Sequence, residues 1–358
     1  MKAIDLFPVI CGAVAAASIG LFAQTPSQRP ASPAPSRTAR AYSPARTGWG
    51  EPDLQGVWNY GTMTPLERPA RWAGKDVLTE AEAKAYEEET VGNRSGNTAV
   101  TAGPDWWELQ NNVLKNRRTS LIVDPPDGKI PPTTEEYQAR QRAAGGGGGR
   151  GRGGNAYDGP ESVGLQDRCI AWPAVGPPMQ PTVYNNNVQI VQSPGYVVLL
   201  SEMIHNARIV KMDGSPHGTL RSWYGDSRGH WEGNTLVIDT TNFNGRLPFR
   251  GSGETLHLIE RFTRTGADTM EYRYTVDDPT IWTRPWTAML DLSKIDGLVY
   301  EFACHEGNAI SMVGTLKGAR LLEQEGPSQP PAGRQGGAGR QGGAGRQGGA
   351  GRQGGAGR

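Results

Sequence analysis

Thr269-Met270-Glu271-Tyr272-Arg273-Tyr274-Thr275-Val276-Asp277 decides the fold class. Met270, Tyr272, Tyr274 and Val276 fall on one face of an extended chain, and Glu271, Arg273 and Thr275 on the other. That period of two marks a half-buried antiparallel strand. Gly266-Ala267-Asp268 turns the chain just before it, and Thr255–Arg264 is the facing strand. Working outward, the same pattern recurs. Val188–Gln192 stops at Ser193-Pro194-Gly195, and Tyr196–Leu200 follows. Ile209–Met212 precedes Asp213-Gly214, a hairpin dipeptide, and Gly233-Asn234 separates Gly229-His230-Trp231 from Thr235–Thr241. Trp282–Leu290, Leu298–Cys304 and Val313–Leu316 complete the predicted strands. The spacing predicts a mostly β domain, either an antiparallel up-and-down barrel or a strongly curved sheet. Helices are few. Thr79 and Glu82 form a capping box for a helix to about Glu89, and Thr133 and Glu136 offer a second box for a short one.

The flanks read differently. Lys2 precedes Leu6–Ala23, a run without a charged side chain, and Leu21-Phe22-Ala23 ends it on a small residue. Residues 1–23 therefore read as a signal peptide, which places the chain in the periplasm or outside the cell. No other stretch is apolar enough to span a bilayer. Residues 24–48 form a Pro/Ser/Arg linker with little to bury, and residues 326–358 form an Ala-Gly-Arg-Gln-Gly-Gly repeat; both read as disordered. Gly145–Gly154 reads as a surface insertion in one β-rich domain spanning 49–325, with a loop-rich N-terminal part. The formal net charge is +1, of which the tail contributes five arginines. The body is thus slightly acidic, which argues against nucleic acid as a specific partner. With Cys11 removed, Cys169 and Cys304 remain, either as one disulfide closing a long loop or as two buried thiols.

Three kinds of chemistry are open to the remaining residues. His205, His257 and His305 are candidate bases, with Glu254 or Glu306 as partner and Arg250 or Arg284 to stabilise negative charge. A three-histidine zinc site from the same residues lacks any close ligand pair, so no cofactor is expected. Trp231, Trp282, Arg284, Trp286 and Tyr272 form an aromatic-rich set. A Trp-x-Arg-x-Trp face stacks on flat rings while the arginine takes a carboxylate. Asn187 offers an amide beside them. Packing gives the same tryptophans a purely structural role, and Asp277-Asp278-Pro279 reads as a turn.

Several blocks together resemble a family of exported soil-bacterial proteins of unknown function. They are Pro52–Trp58, Asp124–Pro131, Asn185–His205, Trp231–Phe243, Asp277–Trp286 and Ala303–Asn308. The resemblance implies export and assigns no activity. Gly56-Val57-Trp58 also resembles the opening of lipocalin-type barrels, an analogy of fold alone. The expected function is binding of a small polar-aromatic or sugar-like molecule in the concave face of the sheet. The alternatives are a cofactor-independent hydrolase, lyase or isomerase using His/Glu chemistry, and a non-catalytic cell-envelope interaction protein. No motif sets an oligomeric state.

Overall fold

The computed structural model describes residues 42–95, 112–143, 163–182 and 184–325. The stretch read as a signal peptide, most of the expected linker, the glycine-rich stretch and the repeat tail lie outside the described residues. The described compact unit starts at Tyr42. The Tyr42 ring lies 5.8 Å from the Arg264 guanidinium, and Arg46 bridges to Pro52.

The strands are β1 (Gly56–Asn59), β2 (Ile122–Asp124), β3 (Asn187–Ser193), β4 (Tyr196–Ser201), β5 (Ala207–Lys211), β6 (Asp226–Glu232), β7 (Thr235–Thr241), β8 (His257–Arg264), β9 (Thr269–Asp277) and β10 (Trp286–Ile295). The helices are α1 (Glu80–Ser95), α2 (Glu135–Ala143) and α3 (Cys304–Glu325). β3 to β10 pair in sequence order, and β1 pairs with both β3 and β10. This closes a nine-stranded barrel, one of the two forms that the strand spacing predicts, and closure removes the sheet edges. β7 and β9 have the boundaries that their alternation implies. Among the described residues, no helix is long and apolar enough to cross a membrane.

Four expectations need correcting. Asp213-Gly214 turns the chain but makes no hairpin, because Met212–Gly225 carries it back along the barrel and β5 and β6 run parallel, joined only at Lys211 and Arg228. β10 starts at Trp286 instead of Trp282, since Pro285 has no N–H for the ladder. Leu298–Cys304 and Val313–Leu316 are not strands. β1 takes Ser293–Ile295 and β2 takes Thr287–Ala288 on the side of β10 away from β9, which leaves no place for a further long strand there, and Cys304 onward is helical. The cap of α2 is Thr134, whose Oγ1 accepts the Tyr137 N–H at 3.2 Å.

The barrel's concave face was expected to be hollow; it is filled. Leu258, Phe262, Met270, Tyr272, Tyr274, Val276, Trp286 and Leu290 are fully buried inside it. One end is sealed around the Gly-x-Trp segment. Trp58 donates its indole N–H to the Leu54 carbonyl (2.9 Å), and the Arg264 guanidinium stacks 5.4 Å from the Trp58 ring. At the other end the segment Pro173–Thr182 inserts Met179, which is 1 % exposed. The Met179 N–H donates to the Tyr272 hydroxyl (3.1 Å), and Gln180 Nε2 donates to the Tyr274 hydroxyl (2.6 Å).

A buried ion pair crosses the interior. Arg208 on β5 grips both carboxylate oxygens of Glu260 on β8, and the Tyr272 hydroxyl donates to Glu260 Oε1 at 2.7 Å. This bridge spans the weakly paired β5–β6 seam. Gly229 of β6 lies beneath it, where a Cβ would sit 2.8 Å from Val210 Cγ1 and collide with the Met212 sulfur. Gly229→Ala is therefore expected to destabilise the protein by about 1–3 kcal/mol in urea unfolding. A loss below about 0.5 kcal/mol would mean the interior has room that this packing denies.

Candidate functional site

A cleft of about 450 Å³ opens at the plugged end of the barrel. Three loop segments and Leu121, just before β2, build it: Thr62–Leu66 after β1, Pro173–Pro181 with Ala174, and Pro248–Arg250 between β7 and β8. Leu66, Leu121 and Phe249 supply apolar wall, together with the rings of Pro65, Pro173, Pro181 and Pro248. Thr62, Thr64, Gln180 and Arg250 supply polar groups. The size and the apolar-with-few-polar lining match small-molecule sites.

Each wall is held from below. Thr62 Oγ1 donates to the Asn112 carbonyl (3.1 Å), and Thr64 Oγ1 accepts the Leu114 N–H (2.9 Å). Phe249 and Ser252 exchange backbone hydrogen bonds of 2.7 and 2.9 Å across Arg250-Gly251. With φ of 52° and 92° at those two positions, the four residues form a type I′ turn. Gly251 is required there, because a Cβ would collide with the Tyr137 hydroxyl. The turn is anchored on both sides. Phe249 stacks on Trp286 at 6.0 Å, and the fully buried Ser252 hydroxyl donates to Asp278. Asp278 also accepts from the Thr255 and Thr280 hydroxyls (2.8 and 2.7 Å) and from the Thr280 N–H. Burial raises the Tyr274 phenol pKa, while the Gln180 hydrogen bond and the nearby Arg250 charge act to lower it.

Of the residues that the sequence singles out, Arg250 lines this cleft and most others do not. Trp282 and Trp286 pack edge-to-face in the core at 5.8 Å, and Tyr272 is buried on Glu260. Arg284 does not share their face: the chain at 282–285 is not extended, and the guanidinium turns outward to Asp124 (2.7 Å). Trp231 packs half-buried against the core. Asn187 accepts from Asn59 Nδ2 (2.7 Å) and donates to Glu202 (2.8 Å), whose pKa burial raises. His205 and His305 are exposed, as is Glu306. Glu254 faces Arg221 at 3.9 Å. Cys169 and Cys304 form a disulfide.

His257 has a different partner from those expected. It lies on the outer wall, where its Nε2 meets Asp239 Oδ2 at 2.9 Å, and His217 Nε2 meets Oδ1 of the same carboxylate at 2.9 Å. Asp226, Arg228 and Asp277 surround this pair of imidazoles. Among the described residues, no group of His, Cys, Asp and Glu is placed to hold a metal ion. The Asp239 hydrogen bond raises the pKa of His257 against the effect of burial. Burial works to raise Asp239, but the hydrogen bonds and charges of His257 and His217 outweigh it and lower its pKa.

The pH dependence follows from these signs. His257 stabilises fully below its ordinary value of 6.5 and loses that contribution as pH rises through its raised folded value. Asp239 stabilises above its ordinary 3.8 and loses that contribution as pH falls through its lowered one. The cluster is strongest between those two values. His257→Gln should flatten the fall in urea midpoint between about pH 6 and 8. The effect is modest because solvent screens a side chain 37 % exposed. An unchanged slope would remove His257 from the pH response.

The cleft's other residues carry no periodic signal. Thr62, Leu66, Gln180 and Phe249 lie in connections beside prolines, and Leu121 lies just before the short β2. Fold and site together define a closed, filled β-barrel with a cleft on its plugged rim. No protein-family model matches the chain, and no curated protein matches it.

Proposed function

We propose that this chain is an exported binding protein that holds a small, largely apolar molecule in the cleft on the barrel rim. The cleft carries the proposal: about 450 Å³ of space with apolar walls and four polar groups. Among the described residues, neither His, Asp nor Glu lines it, which favours binding over acid–base catalysis. Export is supported by the uncharged run Leu6–Ala23, by the Cys169–Cys304 disulfide and by the block resemblance to exported soil-bacterial proteins.

The neutral fluorophore N-phenyl-1-naphthylamine tests this directly. Its emission should rise to saturation at one site per chain, and Ala174→Trp, which fills the cleft, should abolish the rise. A linear, unsaturable response, or full binding by the variant, would contradict the proposal.

A further inference from the structure

Resting on the rim cleft as the ligand site, we propose that its ligand is a monoanion: a planar apolar body bearing a carboxylate that Arg250 receives. Arg250 is the only charged residue among the described residues that line the cleft. A non-glycine residue at φ 52° lies in the left-handed region, which L-residues occupy only at a cost. Such a conformation persists where the surroundings enforce it, and here they do. Gly251, the Phe249–Trp286 stack and the buried Ser252–Asp278 hydrogen bond fix the turn on both sides of Arg250. A rigid support thus carries a long, exposed cation to the edge of an apolar cleft.

Four other arginines of the barrel are already engaged. Arg208, Arg261 and Arg284 each hold a carboxylate, and Arg221 holds two carbonyls. Arg250 has no acceptor among the described residues, so its planar fork of donors is free for a bidentate carboxylate. Gln180 has its amide N–H groups committed to Tyr274 and to the Met179 carbonyl. One guanidinium balances one negative charge, which favours a carboxylate over a phosphate dianion. The proline rings, Leu66, Leu121 and Phe249 then cover the apolar body.

Competition against bound N-phenyl-1-naphthylamine separates this inference from the cleft itself. The competitors are 2-naphthoate, 2-naphthamide and 2-naphthyl phosphate, tested on the full chain and on Arg250→Gln, Arg250→Lys and Arg284→Gln. Naphthoate should bind about tenfold or more tightly than naphthamide, as expected for a charge-assisted bond. Arg250→Gln should erase that difference, Arg250→Lys should restore part of it, and Arg284→Gln should keep it. Equal displacement by acid and amide, both blocked by Ala174→Trp, would overturn the carboxylate and leave the cleft standing. Tighter binding of the phosphate than the carboxylate would overturn the monoanion. Failure of all three to compete, with no saturable fluorophore binding, would overturn cleft and carboxylate together.

Discussion

Replacing Glu260 by Gln lowers the unfolding free energy by about 3–5 kcal/mol, the scale for stranding one partner of a buried ion pair. The Glu260 side chain is 0 % exposed and Arg208 8 %, so the guanidinium left behind has neither water nor counter-charge. The Tyr272 hydroxyl loses its charged acceptor as well. The consequence is concentrated where the barrel is weakest. β5 and β6 share a single bridged residue pair, whereas β8 and β9 pair along eight. Amides of Ala207–Lys211 should therefore exchange faster in the variant than those of β8 and β9. Arg208→Met with Glu260→Leu should recover most of the loss, because an apolar replacement leaves no uncompensated charge. Urea unfolding followed by tryptophan fluorescence reads all three proteins. A loss below about 1 kcal/mol for the single variant would mean that the pair is solvated and braces nothing.

Cys169→Ser with Cys304→Ser is the second large effect, about 2–5 kcal/mol. The bond joins residues 135 apart and encloses β3 to β10, so the unfolded chain gains much freedom when it is removed. It also fastens the first turn of α3 to the segment before the Met179 plug. Asn308 Nδ2 reaches both sulfurs at 3.2 and 3.3 Å, and Cys304 packs with Val175, Met203 and Ile204. Guanidinium unfolding with and without reductant should give the same drop in the wild type as the double substitution gives without it. Insensitivity of the wild type to reductant, in a sample whose thiols titrate as free, would contradict the effect.

The antiparallel β architecture was legible because β8 and β9 alternate without a break. β9 inserts Met270, Tyr272, Tyr274 and Val276 and exposes its charges, and a one-residue slip would bury Glu271 and Arg273. Closure was not legible. It depends on β1, four residues long, pairing on both sides, and so short a strand carries no period of its own. The filled interior followed from side chains whose direction was readable but whose volume across the barrel was not. Tyr272 and Trp286 therefore looked equally suited to line a hollow or to fill one. Arg208 and Glu260 are far apart in sequence and meet only once the ring closes. The cysteine pair was foreseen as one of two options, because only two cysteines remain after the leading segment. The cleft belongs to loops, whose meeting depends on the barrel that holds them. Arg250 was named for its charge, but the turn that presents it becomes visible only through its backbone angles.

A crystal structure of the full chain grown with 2-naphthoate is the most direct test. It should show the ring between Phe249 and Leu121, the carboxylate on Arg250, and Met179 still seated in the barrel. Ligand inside the barrel in place of Met179, or on the outer wall beside His257, would contradict it.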